Sequence, residues 1–170
     1  SMKGGNGKSE YNTAMGHKSL YSISTGDKNV AVGNEAGSTL NTGNYNVFLG
    51  YKAGYGSSAT RSAYANTAVG RHTLLVNTTG TNNVGVGIQA LDANTTAEQN
   101  TAIGYQALAE NTSGNSSVAI GHKAGDNNTT GGNNTFLGSG TNVADSATFA
   151  NSTAVGYGAE ITASNAIFLG

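Results

Sequence analysis

The chain has 170 residues, 36% of them hydrophobic, no cysteine and a formal net charge of −1. These values exclude a disulfide framework and a thiolate metal site, and eight basic against nine acidic residues leave no basic stripe for nucleic acid. No apolar run approaches the roughly 18 residues of a membrane span, so direct membrane insertion by this segment is not expected.

Leu, Ile, Val and Phe supply only 29 residues. With a large net charge that share would read as disorder; here the charge is near zero and the apolar residues recur periodically. Gly, Asn, Thr and Ser dominate the rest, which suits short strands joined by tight turns and leaves helix nearly absent. Ser1-Met2 reads as an expression scar, and the chain is expected to be a fragment of a longer protein.

The first strand is expected at Thr13-Ala14-Met15, closed by Gly16, and the pattern returns at Val30-Ala31-Val32-Gly33 and Val47-Phe48-Leu49-Gly50. It then recurs with closing glycines at Gly70, Gly87, Gly104, Gly121, Gly138, Gly156 and Gly170. The successive intervals are 17, 17, 20, 17, 17, 17, 17, 18 and 14 residues, so one unit of about 17 residues is stacked about ten times. The fold expected is all-β, a parallel solenoid forming a single domain over 1–170. Residues 1–11 are expected to be a flexible start, and 139–170 hold altered repeats of different length. At about 4.8 Å per coil the rod would be roughly 45 Å long.

Within each strand the residues on either side of the centre share a face and are mostly Val, Ile, Leu or Thr. They are assigned to the coil interior. The residue between them points the other way and is never polar, and parallel sheets are covered on both faces. Neighbouring copies of the chain are the simplest cover. The candidate intersubunit residues are therefore Ala31, Phe48, Ala68, Ala102, Ala119, Phe136 and Phe168. Ten residues after most anchors stands a second small residue, as at Gly26, Gly43, Gly80, Ala97, Gly114 and Gly131, which predicts two turns and two short strands per coil. Four residues after the anchor, Leu20, Leu74, Leu91 and Leu108 alternate with Gly37, Gly54 and Gly125, and the leucines are expected in the core. Asn12, Asn29, Asn46, Asn66, Asn83, Asn100 and Asn134 should stack as an amide ladder.

Ser117-Val118-Ala119-Ile120-Gly121-His122 and the Asn-Thr-Ala-Ile/Val-Gly variants resemble the repeat of YadA-like heads in trimeric autotransporter adhesins. That resemblance implies a left-handed parallel β-roll, assembled as a homotrimer that binds host matrix or cell surfaces. The 14-residue unit ending at Gly170 matches that family's period, whereas most of the chain runs at 17. The longer unit containing Asn-Thr-Thr-Gly is similar to repeats of phage tail fibres and tail-fibre-like bacterial surface proteins. Either relationship implies an extracellular fibre segment, on a bacterial surface or a virion, with a glycan or protein receptor and no catalysis. A passive spacer displaying a separate tip is the alternative.

Chemistry-bearing residues are sparse. His17, His72 and His122 follow different anchors and suit turn positions better than a shared metal site. Acidic residues are scattered, no carboxylate pair suggests glycosidase work, and Asp126-Asn127-Asn128 is a weak calcium signal. No enzyme activity, metal or cofactor is expected. Exposed Tyr, Lys and Arg beside the anchors suit recognition, above all at the 20-residue interval, because insertions in solenoids emerge as loops. The candidate recognition residues are Tyr51, Lys52, Tyr55, Arg61, Tyr64, Arg71 and Tyr105. An ice-binding solenoid is disfavoured, because Thr13, Thr67, Thr101 and Thr135 share the face assigned to the interior.

Overall fold

The computed structural model describes residues 9–56, 62–144 and 148–170. It is a parallel β-solenoid of about nine turns. Ten three-residue strands form one sheet, stacked in chain order: β1 (Thr13–Met15), β2 (Val30–Val32), β3 (Val47–Leu49), β4 (Thr67–Val69), β5 (Val84–Val86), β6 (Thr101–Ile103), β7 (Val118–Ile120), β8 (Thr135–Leu137), β10 (Thr153–Val155) and β12 (Ile167–Leu169). Equivalent residues pair without slippage, so Ala102 lies between Gly85 and Ala119 even though intervals elsewhere vary from 14 to 20. No α-helix is present among the described residues.

Register begins at the anchor glycine. From Gly16 to Gly138 these residues hold φ between 130° and 140°, a region that L side chains rarely enter. A Cβ on Gly104 would meet the carbonyl of Gly121 closer than 3.0 Å, and the same approach repeats at every anchor up to Gly156. Backbone therefore stacks directly on backbone. Beyond the anchor, hydrogen bonds between coils continue through the turn: Gln106 N–H donates to Ile88 O (2.9 Å) and Leu108 N–H to Ala124 O (2.9 Å).

The interior is one side chain deep. Ala31, Ala68, Ala102, Ala119, Phe48 and Phe136 are all fully buried within the single chain, together with Leu20, Leu74, Leu91 and Leu108. Those leucines adopt φ of 45–54°. A left-handed L-residue costs about 1–2 kcal/mol, whereas burying a leucine side chain contributes about 1.5–3 kcal/mol, so burial carries the position. Glycine replaces leucine where the strand brings a phenylalanine. A Cβ at Gly37 or Gly54 would run into the Phe48 ring, and one at Gly125 into the Phe136 ring.

Asn100 shares strand parity with Ala102 and also points inward, fully buried. The Asn29 Oδ1 accepts from the Asn46 N–H (2.9 Å) and Nδ2 (3.0 Å), while Asn29 Nδ2 donates to Gly43 O (2.8 Å). The ladder runs on through Asn66, Asn83 and Asn100 to Ser117, then through Asn134 to Ser152. It clamps the start of each strand to the turn opposite. A second run, Asn77, Asn94, Asn111 and Asn128, closes that turn, as where Gly114 N–H donates to Asn111 Oδ1 (3.0 Å).

The expectation of two strands per coil is corrected. Among the described residues a second strand occurs only in the last coils, where β9 (Asn142–Val143) pairs with β11 (Glu160–Ile161). In most earlier coils a left-handed residue four after the anchor bends the chain out of extension, and Asn142 and Glu160 carry none. Of the start expected to be flexible, residues 9–11 stack on the next coil, with Ser9 Oγ donating to Gly26 O (2.9 Å) and Glu10 O accepting from Lys28 N–H (3.1 Å).

The size match between Phe48 and Gly54 sets a quantitative expectation. Phe48→Ala should destabilise the fold by about 3–5 kcal/mol through the cavity it leaves. Gly54→Leu alone should also destabilise it by overpacking against Phe48. The double variant recreates the Ala102 and Leu108 pairing, so thermal or urea unfolding should give a loss smaller than the sum of the two, by on the order of 1 kcal/mol or more.

Candidate functional site

The assignment of the two strand faces is inverted in the structure. Ala31, Phe48, Ala68, Ala102, Ala119 and Phe136 are at 0% exposure inside the coil, and Phe168 is half-buried against the same core. They are unavailable to a neighbouring chain, which corrects their place as intersubunit residues. The reason is the thin interior. It admits the inward Asn or Ser of nearly every coil and the small or paired residue two positions later, and it leaves the flanking strand positions outside.

The outward face is consequently apolar along the whole sheet. Its two columns hold twenty side chains, two from each of the ten strands, of which five are Thr and none is charged. Ile103 and Ile120 are each 39% exposed and Leu137 is 43% exposed. Contiguous exposed apolar faces are uncommon on monomeric soluble proteins. Parallel sheets are ordinarily covered on both sides.

The candidate recognition residues fall at the two ends of the strands. Tyr51, Lys52, Tyr55, Arg71 and Tyr105 follow the anchors, whereas Tyr64 precedes β4 and meets Tyr45 edge-on with centroids 5.3 Å apart. Arg61 lies outside the described residues. After the anchors, rings stack between coils: Tyr51 with His72 at 5.4 Å and Tyr105 with His122 at 5.3 Å. The imidazoles thus cap tyrosines, while His17 is exposed. Lys52 Nζ is 3.4 Å from Glu35 and lies over the rings of both Tyr51 and Tyr55. The Tyr51 phenol beside it holds its ammonium above the usual lysine value. Across the strands, Lys28 Nζ donates to the Tyr45 hydroxyl (2.8 Å).

Sequence reasoning had not singled out a pocket of about 210 Å³ beside the 20-residue interval, lined by Lys52, Tyr55, Gly56, His72, Leu75 and Val76. Among the described residues around it, Gly56 N–H donates to Leu75 O (2.6 Å) and Asn46 Nδ2 donates to Ala63 O (2.8 Å). The longer interval, the clustered tyrosines and His72 are legible in the sequence, but the cavity that Leu75 and Val76 complete is not. Burial pushes His72 below its ordinary value, and the Arg71 and Lys52 charges add to that. Burial also pushes Asp92 up, against the opposing effects of Gln89, His72 and Arg71. One Asp92 oxygen has no hydrogen-bond partner; the other accepts from Gln89 Nε2 at 3.4 Å. No group of three or more His, Cys, Asp or Glu able to hold a metal occurs among the described residues.

The chain matches no protein-family model, no curated protein and no solved structure.

Asp92 provides a pH test. Its folded pKa lies above the unfolded value, so the carboxylate costs stability above the raised pKa, and the cost fades as pH falls to the ordinary carboxylate range. Asp92→Asn should melt higher than wild type at pH 7, with the gap closing towards pH ~4. An equal or lower melting temperature at pH 7 would contradict burial as the dominant cause.

Proposed function

We propose that the chain is a segment of a homotrimeric extracellular fibre, on a bacterial surface or a phage virion, that attaches to a cell-surface glycan or protein receptor without catalysis. The uncovered Val/Ile/Leu/Thr face of the sheet is the observation that carries this reading. Its twenty side chains approach the roughly 20–30 residues per partner of a stable interface. A second copy is the favoured cover because the face runs across ten strands, carries no charge and repeats with the coil, as an identical rod lying parallel would. Three copies, with the faces turned to a common axis, follow from the likeness to YadA-like heads and tail-fibre repeats. The tyrosine and lysine ridges at the strand ends then flank the interface and remain open to a receptor.

A passive spacer shares this assembly and differs only in lacking receptor binding. The ice-binding reading gains one observation, since Thr13, Thr67, Thr101, Thr135 and Thr153 stand on the outer face rather than inside. Val30, Val47, Val84, Val118 and Ile167 interrupt that column, and the second column contains no Thr at all. Copies of the chain cover such a face better than ordered water does.

Ile103→Asp combined with Ile120→Asp should place two buried charges per chain in the interface, at several kcal/mol each. Sedimentation is expected to show the mass falling from three chains to one of 17.0 kDa, with the β-sheet circular dichroism retained. Ala102→Asp, by contrast, should abolish the fold itself. Wild-type protein that sediments as a monomer would overturn the trimer. Binding to whole cells separates an attachment segment from a spacer, and thermal hysteresis by the wild type would favour ice.

A further inference from the structure

We propose that the pocket at the 20-residue interval holds one uncharged sugar ring, a pyranose unit of a surface glycan, an inference that rests on the attachment reading above. Its volume of about 210 Å³ falls below the roughly 300–1,000 Å³ of pockets for drug-sized ligands, which suits a single ring. The walls divide by chemistry. Tyr55, Leu75 and Val76 offer aromatic and aliphatic surface for the C–H face of a pyranose, while Lys52 and His72 supply polar atoms for its hydroxyls.

Charge decides against an acidic ligand. The Lys52 ammonium is already matched by Glu35 at 3.4 Å, and Asp92 acts electrostatically on both His72 and Arg71. Burial keeps His72 towards its neutral form, in which one ring nitrogen donates and the other accepts. A sugar hydroxyl also does both. The other Tyr–His stack lacks these walls: Ala109 and Asp126 stand where Tyr55 and Leu75 stand here, and Asp126 is tied to Lys123 at 3.7 Å. Tyr105 therefore serves as an internal control.

The test is an NMR titration of the ¹⁵N-labelled intact protein with methyl glycosides of glucose, galactose, mannose and N-acetylglucosamine, and with N-acetylneuraminic acid as the acidic comparison. At least one neutral glycoside should shift the Gly56, Leu75 and Val76 amides. Tyr55→Ala should weaken that binding at least tenfold, Tyr55→Phe should retain it, and Tyr105→Ala should leave it unchanged. The Tyr55 backbone bonds survive each substitution, because only its N–H and carbonyl take part in them. Shifts elsewhere, shifts with the acidic sugar alone, or none with any neutral glycoside would overturn the assignment. Whole-cell binding by the same proteins keeps the two readings apart. Cell binding without glycoside shifts overturns the pocket and leaves attachment standing; glycoside binding without cell binding supports the pocket and overturns attachment.

Discussion

The contact on which this structure depends is the one between successive anchor glycines. From Gly16 to Gly156 the chain turns at each of them with a positive φ while a carbonyl of the next coil sits where a Cβ would be. A side chain there would force neighbouring coils apart and break the strand pairing that follows. Because the approach repeats from turn to turn, each strand residue of one coil lies over its counterpart in the next. Columns of like residues, and the properties of those columns, are consequences of that stacking.

Two kinds of column then divide the work. The inward Asn and Ser residues satisfy buried backbone N–H and carbonyl groups that a coil of turns cannot pair by itself, and leaving one such group unmatched costs about 1–3 kcal/mol. The inward Ala, Phe, Leu and Gly residues fill a core only one side chain deep, with Phe48 and Gly54 showing that volume is adjusted locally. Such a core uses few large apolar residues. Val, Ile and Leu stand on the outer surface instead, and the assembly proposed above would give them a physical reason to be there.

The repeat, the parallel stacking and the amide ladder were legible in the sequence because each rests on a single column. The direction of the faces was not. Ala102 and Ile103 are both apolar, and alternation alone separates two faces without saying which is inside. The usual preference for burying β-branched side chains points the larger residues to the core. The parity of Asn100 with Ala102 carried the answer: a ladder that must be hydrogen-bonded and dry draws the alanine in with it. The exchange of Leu for Gly beside Phe48 and Phe136 pointed the same way. The ring stacks of Tyr51 on His72 and Tyr105 on His122 join positions one coil apart, and their geometry depends on rotamers that no column of letters encodes.

Thiol accessibility tests the central claim most directly, since the chain has no cysteine and each single substitution adds one. Ala102→Cys is expected to resist a water-soluble maleimide at every protein concentration while the fold holds. Ile103→Cys should be protected in the assembled protein and label rapidly once dilution separates the chains. Free labelling of Ile103→Cys at high concentration would leave the outer face uncovered, and rapid labelling of folded Ala102→Cys would reverse inside and outside.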